Sequence, residues 1–256
     1  MKRLLALACA CLSIGAVARG QTPAAKPAKQ APPAAAATPT IDQILSKYLE
    51  AEGGRAAWQK LTSRETTGTI DVPSMNLSGT VEIHEKAPDR LLGIVTINGA
   101  SFRQAYDGTT AWTDDPQDGL RVLAGPELAE SRRDADFFHP LNLRKLYAKL
   151  TVSGKEKIGE RDAWVVEGAL PEGGEPDRLY FDAQTGLTLR TISQHHGPDG
   201  VTEYQEDFED YREVDGIKMP FTIHQKNGGT SMTVTITEVH HNVEVDDSLF
   251  AKPAAQ

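Results

Sequence analysis

The sequence predicts an α+β protein, mainly β, built on an antiparallel sheet that is highly curved or closed. Three observations lead there. After Arg64 the apolar residues recur with a period of two over most of the chain. Short turn signals separate consecutive runs, among them Asn98-Gly99, Asp107-Gly108, Asp118-Gly119, Gly159, Gly173-Gly174 and Pro198-Asp199-Gly200. Connections this short join antiparallel neighbours. No regular β-α-β alternation occurs, which sets aside a doubly wound fold.

From the N-terminus, Lys2 and Arg3 precede an apolar run over 4–17, too short to span a bilayer comfortably. Ala18 and Gly20 then place small residues before Gln21. This reads as a signal peptide over 1–20, cleaved after Gly20, and the protein is expected in the periplasm. Both cysteines, Cys9 and Cys11, lie inside the removed run, so the exported chain has no disulfide, thiol chemistry or thiolate metal site. Residues 21–40 hold eight Ala and five Pro with only Lys26 and Lys29 charged, the composition of an extended, disordered tether.

The folded domain is expected over 41–256. Ile41, Ile44, Leu45, Tyr48 and Leu49 form an apolar stripe at helical spacing, with Thr40 and Gln43 placed as a capping box. Gly53-Gly54 ends that helix, and Ala57, Trp58 and Leu61 mark a short second one. Strands follow from Arg64, with Val81 and Ile83 on one face, then over 91–97, 101–106 and 120–124. Helices are predicted over 126–135 and 137–150, with Pro126 and Pro140 in first turns and Leu143, Leu146, Tyr147 and Leu150 as a stripe. Strands resume over 150–157, 162–168, 178–182 and 187–195.

The last hairpin predicts its own register. With Gly228-Gly229 as the turn, Asn227 faces Thr230, Gln225 faces Met232, Ile223 faces Val234 and Phe221 faces Ile236. Pro220 then belongs at an edge or a bulge, since it has no amide to donate.

Composition and motifs exclude several functions. The 256 residues carry a net charge of −9, and an acidic protein lacks the basic face that a nucleic acid needs. The one long apolar run is N-terminal, so a polytopic membrane protein is excluded. No G-x-S-x-G, G-x-x-x-x-G-K, H-E-x-x-H or G-x-G-x-x-G occurs, and no catalytic residue is assigned. His195 and His196, like His240 and His241, are strand neighbours on opposite faces, so no metal site or cofactor is expected. The acidic run Glu203, Glu206, Asp207, Glu209 and Asp210 reads as a solvated strand face. Asp114, Asp115 and Asp118 read as a turn-rich loop.

Four runs resemble a known family. Tyr106 to Trp112 (Y-D-G-T-T-A-W) followed by Pro116 resembles the D-G-x-x-x-W…P stretch of periplasmic lipoprotein carriers. Leu179 to Leu187 (L-Y-F-D-A-Q-T-G-L) is similar to their strand-turn-strand after the lid helices. Val214 to Pro220 (V-D-G-I-K-M-P) is similar to a late strand of outer-membrane lipoprotein-sorting proteins, and Ala51-Glu52-Gly53-Gly54 with Ala57-Trp58 resembles their N-terminal helix pair. The order of the runs matches the LolA-like superfamily across nearly all of the folded part.

That resemblance implies an incomplete, strongly curved antiparallel barrel whose concave side is covered by helices. It implies a monomeric, non-enzymatic carrier of the acyl chains of a lipid or lipoprotein, trafficking them to the outer membrane between envelope donor and acceptor proteins. Ile44, Leu45, Tyr48 and Leu49 would form one wall of an apolar cavity, and Trp112, Phe137, Phe138 and Leu141 another. A lid-locking arginine is implied, with Arg64, Arg90 and Arg103 all open. Two other readings stand beside it: an envelope sensor or protein-interaction module with a filled concave face, and a secreted hydrolase, for which Ser101 and Ser131 have no supporting spacing.

Overall fold

A computed structural model describes residues 37–197 and 200–254. The expected signal peptide over 1–20, the tether as far as residue 36 and the Pro198-Asp199 turn lie outside the described residues.

Two short helices come first, α1 (Ile41–Ala51) and α2 (Arg55–Trp58). The capping box forms: the Gln43 amide donates to Thr40 Oγ1 at 3.3 Å, and the Thr40 amide donates to Gln43 Oε1 at 2.8 Å. Six strands follow: β1 (Ser63–Val72), β2 (Leu77–Lys86), β3 (Arg90–Ile97), β4 (Ala100–Tyr106), β5 (Ala111–Asp115) and β6 (Gly119–Val122). After α3 (Gly125–Asp134) and α4 (His139–Leu146) come β7 (Lys149–Ile158), β8 (Arg161–Ala169), β9 (Asp177–Asp182), β10 (Thr188–Gly197), β11 (Gly200–Val214), β12 (Ile217–Asn227) and β13 (Thr230–His241).

The strands form one antiparallel sheet in the order β6-β5-β4-β3-β2-β1-β13-β12-β11-β10-β9-β8-β7. It is two hairpin meanders joined where β1 pairs with β13. The sheet stays open, with β6 and β7 as its two edges. Those edges are consecutive in the chain, so the segment carrying α3 and α4 must travel from one end of the sheet to the other. Over a curved sheet the short path crosses the concave side, which is where the helices lie. The fold is thus an α+β, incomplete curved barrel.

The β12–β13 register agrees with the sequence over Asn227↔Thr230, Gln225↔Met232, His224↔Thr233, Ile223↔Val234 and Thr222↔Thr235. Pro220 lies beyond that ladder, opposite Tyr211 in β11 and near Asp210, whose φ is 50°. Its missing amide therefore leaves no gap in the β12–β13 ladder. Two expectations are corrected. The helix predicted over 137–150 ends at Leu146: Tyr147 is already extended, and Leu150, in β7, pairs with Gly168 of β8. Leu143, Tyr147 and Leu150 still meet in one buried cluster, so a helix-to-strand junction satisfies the same apolar pattern. Asp114 and Asp115 belong to β5 rather than to a loop, because the turn closes with Asp115 opposite Gly119.

The inner face carries the main core of Ile70, Val72, Val81, Phe221, Val234 and Ile236. The chain after β13 instead covers the outer face of the first meander. There Val245 and Phe250 pack on Leu92, Ala105 and Trp112, and Trp112 Nε1 donates to the Phe250 carbonyl at 2.9 Å.

Candidate functional site

The helices do not seat flush on the concave face. Between them lies a cavity of about 1040 Å³, reached by α1, α3 and α4 from above and by both meanders from below. Its apolar surface comes from Val95 and Phe102 in the first meander and from Leu179, Ile192 and Phe208 in the second. A volume near the upper end of the roughly 300–1,000 Å³ typical of ligand pockets is ample for a small amphiphile.

Strand alternation sets the rest of the lining. In β11, Tyr204, Glu206 and Phe208 share the face that meets the cavity. Tyr48 in α1 and Glu52, the residue that caps its C-terminus, are one turn apart on the inward stripe. Tyr147 and Tyr211 add two more phenols, and Asp134, Asp177 and Glu130 further carboxylates. The cavity is therefore amphipathic: an oily floor studded with tyrosines and acids.

Burial perturbs these acids. Glu52 is 9% exposed, and its carboxyl is pushed up to about 8, chiefly by desolvation and against the pull of the Tyr48 hydroxyl and the Arg64 charge. Asp134 is exposed and opens onto the cavity; desolvation by the walls around it, then the Glu130 charge, raises its carboxyl. Burial also raises Glu206, which accepts only from neutral groups: Gln225 at 3.1 Å, Thr191 at 3.4 Å and Tyr204 at 3.5 Å. Glu130 is different. Its burial is outweighed by His195, whose Nδ1 lies 2.6 Å away, and by the His196 amide at 3.1 Å, so its pKa falls. The same hydrogen bond raises His195 and ties α3 to β10.

A second cavity of about 290 Å³ adjoins the first, since Glu52, Asp134 and His139 line both. Arg64 reaches it from β1, held by Glu85 through two bonds of 2.5 and 2.7 Å. Its guanidinium lies 6.0 Å from the Trp58 ring and 5.9 Å from the Phe137 ring, both on the helical side. Of the three arginines in question, Arg64 is the one that touches the helical cover this way; Arg90 pairs with Asp247 on the outside.

The sequence-predicted lining residues scatter. Tyr48 lines the large cavity and Phe137 the small one. Ile44 and Leu45 fasten α1 to Val166, Leu179 and Phe181. Leu49, Phe138 and Leu141 pack with Trp58, Leu61 and Ile217. Trp112 lies on the opposite face of the sheet, because the turn pairs Tyr106 with Ala111 and so turns Ala105 and Trp112 outward together.

Sequence reasoning missed the acids. The expectation of a solvated strand face for the acidic run from Glu203 to Asp210 is corrected at Glu206: Glu203, Glu209 and Asp210 are exposed, but Glu206 points inward. Its parity with Tyr204 and Phe208 was the available signal. Glu52 likewise continues the Ile44-Tyr48 stripe. Among the described residues no three histidine or acidic groups converge to hold a metal ion, and no helix is long and apolar enough to cross a membrane.

No protein-family model matches the chain, and no curated protein resembles it significantly in sequence. Solved structures do resemble it in shape. A DUF1329 family protein from Desulfovibrio piger superposes with a TM-score of 0.56 at 13% identity, over 84% of this chain and 98% of that one. A LolA superfamily protein from Nitrosomonas europaea gives 0.54 at 14%, over 84% and 99%. A putative outer membrane lipoprotein-sorting protein domain from Vibrio parahaemolyticus gives 0.52 at 15%, over 82% and 95%. At these identities the likeness is one of fold, and the fold is LolA-like.

Proposed function

We propose that this protein is a non-enzymatic carrier of the cell envelope, holding the acyl chain of a lipid or lipoprotein between its helices and its curved sheet. The observation behind this reading is the 1040 Å³ cavity, which has apolar walls on both meanders and a helical roof. A sensor with a filled concave face has no need of that space. Burial of a hydrocarbon chain gains about 0.8 kcal/mol per methylene, so even half of a long acyl chain offsets a cost of a few kcal/mol for parting the helices. An exported chain with an Ala/Pro tether suits a carrier that must reach between membranes. Tyr48 and Phe137 are the members of the sequence-predicted set proposed to touch ligand; Ile44, Leu45, Leu49, Phe138 and Leu141 hold the roof in place, and Trp112 serves the outer face.

The test is twofold. Protein purified from the native envelope is extracted and the extract analysed by mass spectrometry, and a neutral fluorescent acyl probe is titrated into the delipidated protein. A stoichiometric lipid in the extract and saturable probe binding are expected. Replacing Phe208 with Glu should weaken probe binding by at least about tenfold, because a charge would stand against the chain. A clean extract together with no probe binding would favour the sensor reading.

A further inference from the structure

The cavity's charge bears on the polar end of its ligand. Glu52, Asp134, Asp177 and Glu206 line it, and none has a cationic side chain within ion-pair distance among the described residues. Among the described residues the one Lys or Arg in the lining, Arg133, is engaged by Glu172, and the imidazole of His195 is engaged by Glu130. Asp177 is 7% exposed; its Oδ2 accepts from the Tyr147 hydroxyl at 2.9 Å, but its buried Oδ1 has no hydrogen-bond partner. An orphaned acceptor in a cavity wall calls for a donor from whatever fills the cavity.

A second regularity stands beside the first. Three of the acids each adjoin a phenol: Glu52 by Tyr48, Asp177 by Tyr147 and Glu206 by Tyr204. A carboxylate beside a phenol hydroxyl attracts an ammonium group through its full charge, and the phenol oxygen can accept a further hydrogen bond from it. The acids are also spread around the wall rather than converging on a point, and no three of them can hold a metal ion among the described residues. A bulky organic cation fits that spacing. A carboxylate or phosphate head would be set against like charge.

From this we propose that the cavity selects an amphiphile with a cationic head, a protonated amine on an alkyl chain, with its tail along Ile192 and Phe208 and its head against Asp177 and Glu206. The inference rests on the acyl-carrier reading and adds the class of head group. It is tested with the full chain by displacing the neutral acyl probe with dodecylamine, dodecanol and dodecanoic acid, each below its micelle concentration and at neutral pH. Dodecylamine should displace the probe at a concentration at least about tenfold lower than dodecanoic acid, with dodecanol between them. Asp177→Asn with Glu206→Gln should shrink the gap between amine and acid to about threefold or less. In the unmodified protein the gap should also shrink as salt is added, a readout that does not depend on the variant folding. An acid that binds as tightly as the amine, or a gap unmoved by both salt and substitution, overturns the head-group inference alone. If neither the probe nor any of the three compounds binds, the carrier reading fails with it.

Discussion

At the residue scale, the buried acids impose a cost that depends on pH. Glu52 faces Tyr48 on its own helix, Tyr211 on β11 and Arg64 on β1, and Arg64 is already committed to Glu85. Its carboxyl holds a proton up to about pH 8 when folded but only to about 4.5 when free, so the folded state binds the extra proton between those limits. Stability contributed by that proton is fully present below about 4.5 and is lost as pH rises through about 8. Glu52→Gln keeps the shape and removes the titration. Its melting midpoint should match the parent near pH 5 and exceed it near pH 9, the gap opening across that interval. A gap that is constant with pH would mean the carboxyl is ionised in the fold. His195 shifts the same way for a different cause: its bond to Glu130 raises its pKa, so that ion pair is complete in acid and is lost as the ring deprotonates.

At the scale of elements, the end of α1 is fixed by a close backbone approach. Gly53 sits at φ 114°, and a Cβ there would meet the Gly216 carbonyl oxygen at 2.1 Å. Gly54, at φ 78°, has nothing nearer than a Glu50 carboxylate oxygen at 3.6 Å. Both pay for left-handed backbone, but only Gly53 also faces the β11–β12 turn. Gly53→Ala should therefore destabilise by about 2–4 kcal/mol and Gly54→Ala by about 1 kcal/mol, read from denaturant midpoints. Equal losses would show that the contact with the turn contributes nothing. The two glycines are legible in the sequence as a helix stop; what Gly53 abuts is not, because residue 216 is brought to it only by the strand order of the sheet. The same holds for Trp112. The Y-D-G-T-T-A-W run announces a turn and an aromatic, yet the side on which the ring lands is set by the Tyr106↔Ala111 pairing. The β12–β13 register is legible because a two-residue turn and alternating apolar positions fix it locally. The cavity acids are the reverse case: an acidic residue on a strand usually faces water, and only the inward parity of Tyr204 and Phe208 marks Glu206 as an exception. The outward ring now has a structural task, and Phe250, fully buried against it, should cost about 3–5 kcal/mol when replaced by Ala. Acyl-probe binding should persist in that variant under conditions where it remains folded, since the contact lies on the far face from the cavity.

At the scale of the whole molecule, the seam between β1 and β13 decides whether there is a cavity at all. Val95 and Phe102 reach the cavity from the first meander, and Leu179, Ile192 and Phe208 from the second. The meanders meet at strands whose paired side chains, such as Thr67 and Thr237, are 170 residues apart. Closing so long a loop costs entropy before any pairing repays it, which predicts folding in milliseconds to seconds rather than microseconds. The seam also has a weak point. The register shifts between Thr67 and Gly68, and a Cβ on Gly68 would lie 2.4 Å from the Thr235 carbonyl oxygen. Trp112 reports on the first meander and Trp164, in β8, on the second. In variants retaining one of these tryptophans as the reporter, fluorescence midpoints in denaturant should coincide while the seam is intact, as one cooperative unit requires. Gly68→Val should forbid the close approach, separate the two midpoints and abolish acyl-probe binding while both halves keep strand content by circular dichroism. Coincident midpoints with binding retained would mean that the helices, not the seam, hold the two walls at their working distance.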